Sequence, residues 1–197
     1  IVTCDGRDAV LENAGILIQD GAVAYMGPEA RAADEVLDAS GCIVYPGLVN
    51  THHHLYQTFS RNLPQVQNLE LFDWLRALYE IWKNLDGETI YHSSIVGMGE
   101  LLKTGCTTVF DHHYVFPGGA SLALLDAQFA AAEALGVRMS ASRGSMDLSK
   151  KDGGLPPDSV VQTVDEILRD CRAAVEKFHD PRPLSMRTVA LAPCSPF

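Results

Sequence analysis

The stretch Pro46-Gly47-Leu48-Val49-Asn50-Thr51-His52-His53-His54 closes an apolar run that begins at Cys42, and its reading decides the fold. Cys42 to Val49 does not alternate with polar residues, so it reads as a strand buried on both faces, the pattern of a parallel sheet covered by helices. Three histidines follow directly. Side chains alternate along an extended chain, so His52 and His54 project to one side and His53 to the other. A divalent metal suits such a pair, because imidazole nitrogen is a favoured ligand of zinc and is also used for iron and nickel.

Outward from this stretch the chain repeats one unit. Asn68 is placed to cap a helix in which Leu71, Trp74, Leu75, Leu78 and Trp82 recur at helical spacing, with Glu70 and Asp73 near its positive end. A second helix is expected from Asp86 to Thr104, stopped by Gly105 before a strand from Thr107 to Asp111. The alternation continues with a helix over Leu122 to Leu135 and a strand over Val137 to Ala141. A helix over Ser159 to Phe178 and a strand over Arg187 to Ala192 then follow. Upstream, Ile16 to Gln19 and Ala22 to Met26 flank Asp20-Gly21, a pair suited to a hairpin turn.

Strand-helix repeats imply an α/β fold with parallel strands, either doubly wound or a (β/α)8 barrel. Every expected strand ends in chemically useful residues: His52 and His54, then Asp111, His112 and His113, then Arg143, then Cys194. Barrels gather their sites from several strand ends, whereas doubly wound sheets use one switch point and often a glycine-rich loop, absent here after the first strand. The expected organisation is a small β-sandwich subdomain, of which residues 1–41 are the N-terminal part, followed by the first half of a TIM barrel over residues 42–197. A full barrel takes about 250 residues, so the remaining strands are expected beyond Phe197, and the absence of an initiator Met suggests trimming at the start.

With 47% hydrophobic and 20% charged residues the 197-residue chain has ordinary globular composition. A net charge of −10 without a Lys/Arg block argues against nucleic acid and anionic membrane as partners and favours a small molecule. Five widely spaced cysteines with no Cys-x-x-Cys pair suit a reducing compartment, and no stretch is long and apolar enough to span a bilayer, so a cytoplasmic location is expected.

The histidine run, Gly105-Cys106-Thr107-Thr108 and Ala192-Pro193-Cys194-Ser195-Pro196 together resemble the amidohydrolase superfamily, in its zinc-dependent aminohydrolase branch. A narrower likeness is to members acting on 8-oxoguanine. It lies in Asn50 to Gln57, Asp111-His112-His113-Tyr114, Arg143 to Met146 and Lys151 to Asp158. The resemblance implies hydrolytic deamination of an amino-substituted N-heterocycle with release of ammonia, 8-oxoguanine first among substrates. Guanine, cytosine and triazine amino- or chlorohydrolases, or an inactive binding protein of the same fold, are the alternatives. It implies one divalent metal, zinc with iron as the alternative, on His52 and His54. Gln57, Arg143 and Cys194 become substrate contacts by the same resemblance. The remaining ligands and the acid/base residues fall beyond Phe197, so no catalytic group is assigned within the chain. The family is often dimeric, which leaves a homo-oligomer open.

Departures from the family narrow the expectation. Nucleoside-processing relatives carry a carboxylate where Lys83 falls by offset and a histidine where Cys194 stands, which favours a free base over a nucleoside. No lysine lies between Thr188 and Pro193 to bridge two metals. Which of His112 and His113 reaches the site is left open, as is whether Asp111 orients an imidazole or caps a loop. His92 and His179 are assigned to structure.

Overall fold

The structure, a computed structural model, describes residues 1–119 and 121–194. Ser195 and Pro196 of the expected strand exit lie outside the described residues. The chain divides into two compact units, Ile1–Leu48 and Val49–Phe197.

In the first unit, β1 (Gly15–Gln19) pairs antiparallel with β2 (Ala22–Gly27) around Asp20-Gly21, both of which adopt positive φ as the tight turn requires. An isolated bridge joins Val2 and Val10.

A four-stranded sheet runs in the order β3 (Leu48–His53), β4 (Cys106–Asp111), β5 (Arg138–Ser145), β6 (Arg187–Pro193), the strand order of a barrel laid down in sequence. β4 and β5 pair in parallel with Val109 beside Met139, and β5 and β6 with Ser145 beside Pro193. The expected first barrel strand is corrected by this arrangement. It begins at Leu48, not Cys42, and Leu48 and Val49 are 59% and 61% exposed instead of buried on both faces. An apolar run fixes neither where pairing begins nor which face is covered.

Helices separate the strands. α1 (Leu71–Trp82) starts from Glu70, which replaces Asn68 as the cap and makes no capping side-chain bond. α2 (Gly87–Lys103) starts from Asp86, whose carboxylate accepts the Thr89 N–H at 2.8 Å, and it ends at Gly105 with φ +86°. α3 (Ser121–Leu135) packs on α2, and α4 (Val164–Phe178) begins at Thr163 with a capping box shared with Glu166. The expected start of that helix at Ser159 falls instead in a short 3-10 turn, Asp158–Val160.

The core lies between sheet and helices: Val109, Met139, Ala141 and Val189 from the strands meet Met98, Leu124, Leu125 and Ala174 from the helices. Beside it, Trp82 sits in edge contact with Tyr56, Trp74 and Tyr79 at centroid distances of 5.2, 5.5 and 5.8 Å. Its indole N–H donates to Ser60 Oγ at 3.1 Å. Such aromatic pairs each contribute about 0.5–1.5 kcal/mol beyond area burial. They anchor the 3-10 helix Leu55–Ser60, the segment that leaves the histidine strand.

Candidate metal centre and cavity

His52 and His54 project from the same side of the β3 end, as strand alternation requires, and their Nε2 atoms approach to 3.3 Å. Two zinc–nitrogen bonds of about 2.0–2.1 Å at a tetrahedral angle span about 3.3 Å, so this separation suits two ligands of one ion. The tautomer of His54 is fixed by geometry. Its Nδ1 lies 2.7 Å from the His112 carbonyl oxygen, which can only accept, so Nδ1 carries the proton and Nε2 presents its lone pair. Burial is the main cause that lowers the His54 pKa, which keeps the ring neutral and ligand-competent. His53 points the other way, toward α2, with Nδ1 buried. Among the described residues no group of three or more His, Cys, Asp or Glu could hold a metal ion, so the described part supplies a two-histidine half of a site.

Asp111 holds this half-site from beneath. It is fully buried at the β4 end; Oδ1 accepts the Leu55 N–H at 2.6 Å and Oδ2 accepts from the Gln128 amide of α3. It therefore caps the segment following His54. Burial raises its pKa to about 7, against the lowering effect of both hydrogen bonds.

Beyond Asp111 the chain stays beside β5, with the Gly144 N–H donating to the His113 carbonyl at 2.8 Å. The structure makes the choice the sequence left open: His112 lines the cavity, and His113 is buried with Nε2–H donating to Val115 O at 2.8 Å. Burial depresses the His113 pKa to about 3. Gly144 permits the close approach, because a Cβ there would lie 2.4 Å from Tyr114 Cβ and 2.6 Å from the His113 carbonyl oxygen.

The cavity in front of His54 measures about 550 Å³. His112, Tyr79, Tyr114, Ser145 and Cys194 give it polar edges, while Leu75, Met146, Leu155, Ile167 and Leu168 give it apolar walls. Large apolar pockets with a few convergent polar groups are the usual form of small-molecule sites. Of the expected substrate contacts, Cys194 lines this cavity. Gln57 does not; it is half-buried and its amide donates to the Tyr56 hydroxyl at 3.2 Å. Arg143, also expected as a substrate contact, is 0% exposed and is not among the residues that line the cavity. Lys83 ends α1 in an exposed pair with Glu80, away from the lining. Sequence reasoning missed Tyr79, Tyr114 and Gln128. Gln128 left a signal, as a lone amide amid Leu124, Leu125, Phe129, Ala131 and Ala132 on a buried helix face.

A sequential parallel sheet whose strand ends bring histidines to one cavity is the arrangement of a partial (β/α) barrel with a site at its strand ends. Residues 43–197 match the profile of the Amidohydrolase family, and the chain belongs to that family. It is 43% identical to 8-oxoguanine deaminase of Pseudomonas aeruginosa and 40% identical to hydroxydechloroatrazine ethylaminohydrolase of Pseudomonas sp. (strain ADP), in each case over 100% of this chain and 44% of the relative. A solved variant of atrazine chlorohydrolase from Arthrobacter aurescens TC1, complexed with zinc and atraton, superposes with a TM-score of 0.87 at 33% identity, over 98% of this chain and 44% of that one. The chain thus spans somewhat under half the length of these relatives. No helix among the described residues is long and apolar enough to cross a membrane.

Proposed function

We propose that this chain forms the first half of a metal-dependent aminohydrolase that removes an amino group from an N-heterocycle as ammonia, with the free base 8-oxoguanine as its substrate. The observation that carries the reading is the convergence of His52 Nε2 and His54 Nε2 at 3.3 Å, with His54 locked by His112 in the ligand tautomer. The 43% identity to 8-oxoguanine deaminase supports the substrate.

In this reading His52 and His54 hold one divalent metal, zinc by the likeness to the zinc-bound relative. When bound, such an ion supplies Lewis acidity and a water nucleophile near neutral pH. The chain's own residues do the rest of what is visible here. The His112 carbonyl keeps the His54 ring in place. His112 and Tyr114 form one polar edge of the cavity and Cys194 another, and the apolar walls exclude water from the flat ring. Gln57 reaches a ring amide once its side chain turns away from Tyr56, and its paired donor and acceptor suit a lactam edge.

A second reading is favoured by a specific feature. The apolar walls at Leu75, Leu155, Ile167 and Leu168 suit an N-alkyl substituent, and one relative at 40% identity is an ethylaminohydrolase of a hydroxylated triazine. Metal content and ammonia or alkylamine release on the full-length protein separate the two readings, across 8-oxoguanine, guanine, cytosine and N-ethylamino hydroxytriazine. One metal per chain with turnover of 8-oxoguanine supports the first. Turnover confined to the triazine selects the second. His52→Ala or His54→Ala retaining both metal and turnover sinks the ligand assignment.

A further inference from the structure

Residues 146–162 leave the end of β5 and return to the cap of α4 as a closed loop. At its neck the Gln162 N–H donates to the Met146 carbonyl at 3.0 Å. Within it, Lys150 N–H donates to Pro156 O and Gly154 N–H to Ser149 O, each at 2.8 Å, and Ser149 Oγ donates to Asp152 at 3.0 Å. The fold of the loop is tight: a Cβ on Gly154 would lie 2.1 Å from the Leu148 carbonyl oxygen. Met146, Leu148, Leu155 and Pro156 of this loop line the same cavity as His54 and His112.

Arg143 lies at the neck. Its guanidinium donates to the Gly144 carbonyl and to Gln162 Oε1, stands 3.5 Å from the Asp170 carboxylate of α4, and rests over the Phe116 ring at 4.1 Å. Gln162 completes the triangle, donating through Nε2 to Asp170 Oδ2 at 2.9 Å. A buried guanidinium is tolerated when its charge is paired; here Gln162 and Asp170 meet one terminal nitrogen and the Gly144 carbonyl the other, while Nε has no hydrogen-bond partner among the described residues. Opening the loop at its neck would separate Gln162 from a cation that is 0% exposed. The loop is therefore held closed by the pairing of Arg143, at the end of β5, with Gln162 and of Gln162 with Asp170.

We infer that Arg143 is a positioning residue: with Gln162 and Asp170 it latches residues 146–162 as a rigid apolar wall, which selects the flat face or alkyl substituent of the heterocycle without Arg143 itself touching it. The selectivity part rests on the heterocycle reading above; the latch itself does not.

The test uses the full-length protein with Arg143→Lys, which keeps the charge but cannot serve both partners through a planar fork, and Gln162→Met, which keeps the bulk and removes both bonds. Two readouts are taken: the KM and kcat of whichever heterocycle is turned over, and hydrogen exchange of the amides in residues 147–157. The latch predicts, for both variants, KM raised about tenfold with kcat within about threefold and metal retained, the signature of lost ground-state positioning. It also predicts faster exchange confined to that loop, and a double variant no worse than the worse single one, since both break one device. Arg143→Lys abolishing kcat while Gln162→Met matches wild type in kinetics and exchange overturns the inference and restores Arg143 as a direct contact. If no heterocycle is turned over, the substrate reading fails, and exchange decides alone: faster loop exchange in both variants upholds the latch and unchanged exchange refutes it.

Discussion

Replacing Asp111 separates the work of a buried carboxylate from that of its shape. In Asp111→Ala the Leu55 N–H and the Gln128 amide lose their acceptor in a fully buried place. Each stranded donor costs about 1–3 kcal/mol, so a destabilisation of about 4 kcal/mol is expected. The Leu55 N–H is the backbone group next after His54, so loosening it also frees the metal-binding ring, and metal affinity is expected to fall by about tenfold, the usual scale for losing an outer support. Asp111→Asn is expected to be mild, costing under about 1 kcal/mol, because its carbonyl still meets Leu55. Gln128 can turn its amide so that Oε1, partnerless in the native structure, accepts from the new Asn NH2. The two variants also differ from wild type in pH response. The pKa of Asp111 is raised by burial from 3.8 to about 7, so the folded state binds more protons than the unfolded state between those values. This group's contribution to stability therefore falls as pH rises from about 4 to about 7, and the Asn variant, with no proton to lose, gains on wild type across that window. Urea denaturation at pH 5 and pH 7.5, with metal content measured alongside, reads all three effects. An Ala variant within about 1 kcal/mol of wild type, an Asn variant as damaged as Ala, or an Asn-minus-wild-type difference that ignores pH would each refute the reasoning.

Further outcomes follow from neighbouring contacts. Gly144→Ala places a methyl 2.4 Å from Tyr114 Cβ and 2.6 Å from a carbonyl oxygen, and backbone cannot yield there as a side chain tip would. A cost of about 1–3 kcal/mol is expected, with a kcat/KM loss on the order of 100-fold as His112 and Tyr114 shift in the cavity, read by melting and steady-state kinetics. His113 is held neutral by burial, its pKa lowered from 6.5 to about 3, so its contribution is present above pH 6.5 and lost as pH falls toward 3. In His113→Phe the acid-side decline in melting temperature should be shallower than in wild type; an equal slope would remove His113 as its source. Thr163→Ala breaks the capping box in which Thr163 Oγ accepts the Glu166 N–H at 3.3 Å, and should cost about 1 kcal/mol in urea melts without changing metal content.

What the sequence disclosed here was local. Gly105 and Gly136 sit at the ends of apolar helical patterns, so the strand-helix alternation could be read from neighbouring residues. The His52 and His54 pairing follows from the parity of an extended chain, which needs no partner to be known. What it concealed depended on distant pairing. Arg143 looks like a barrel-mouth arginine until Gln162 and Asp170, far along the chain, are folded onto it. Asp111 has the same ambiguity, because its two donors come from Leu55 and Gln128, on separate elements.

Parity nevertheless reached further than the hydrophobic pattern indicated. The strand pattern stops at Asp111, yet the next residues run on beside β5, where the Gly144 N–H meets the His113 carbonyl and the His113 N–H meets Ser142 Oγ at 2.9 Å. Side chains keep alternating over this extension: Asp111 and His113 are buried supports, whereas His112 and Tyr114 line the cavity. The same alternation separates His53 from His52 and His54 one strand earlier. Two adjacent strands thus divide their end residues by one geometric rule: His54, His112 and Tyr114 face the cavity, whereas His53, Asp111 and His113 do not line it. An alternating run of polar residues past the apparent end of a barrel strand is therefore best read as strand continued, with every second residue a candidate for the site.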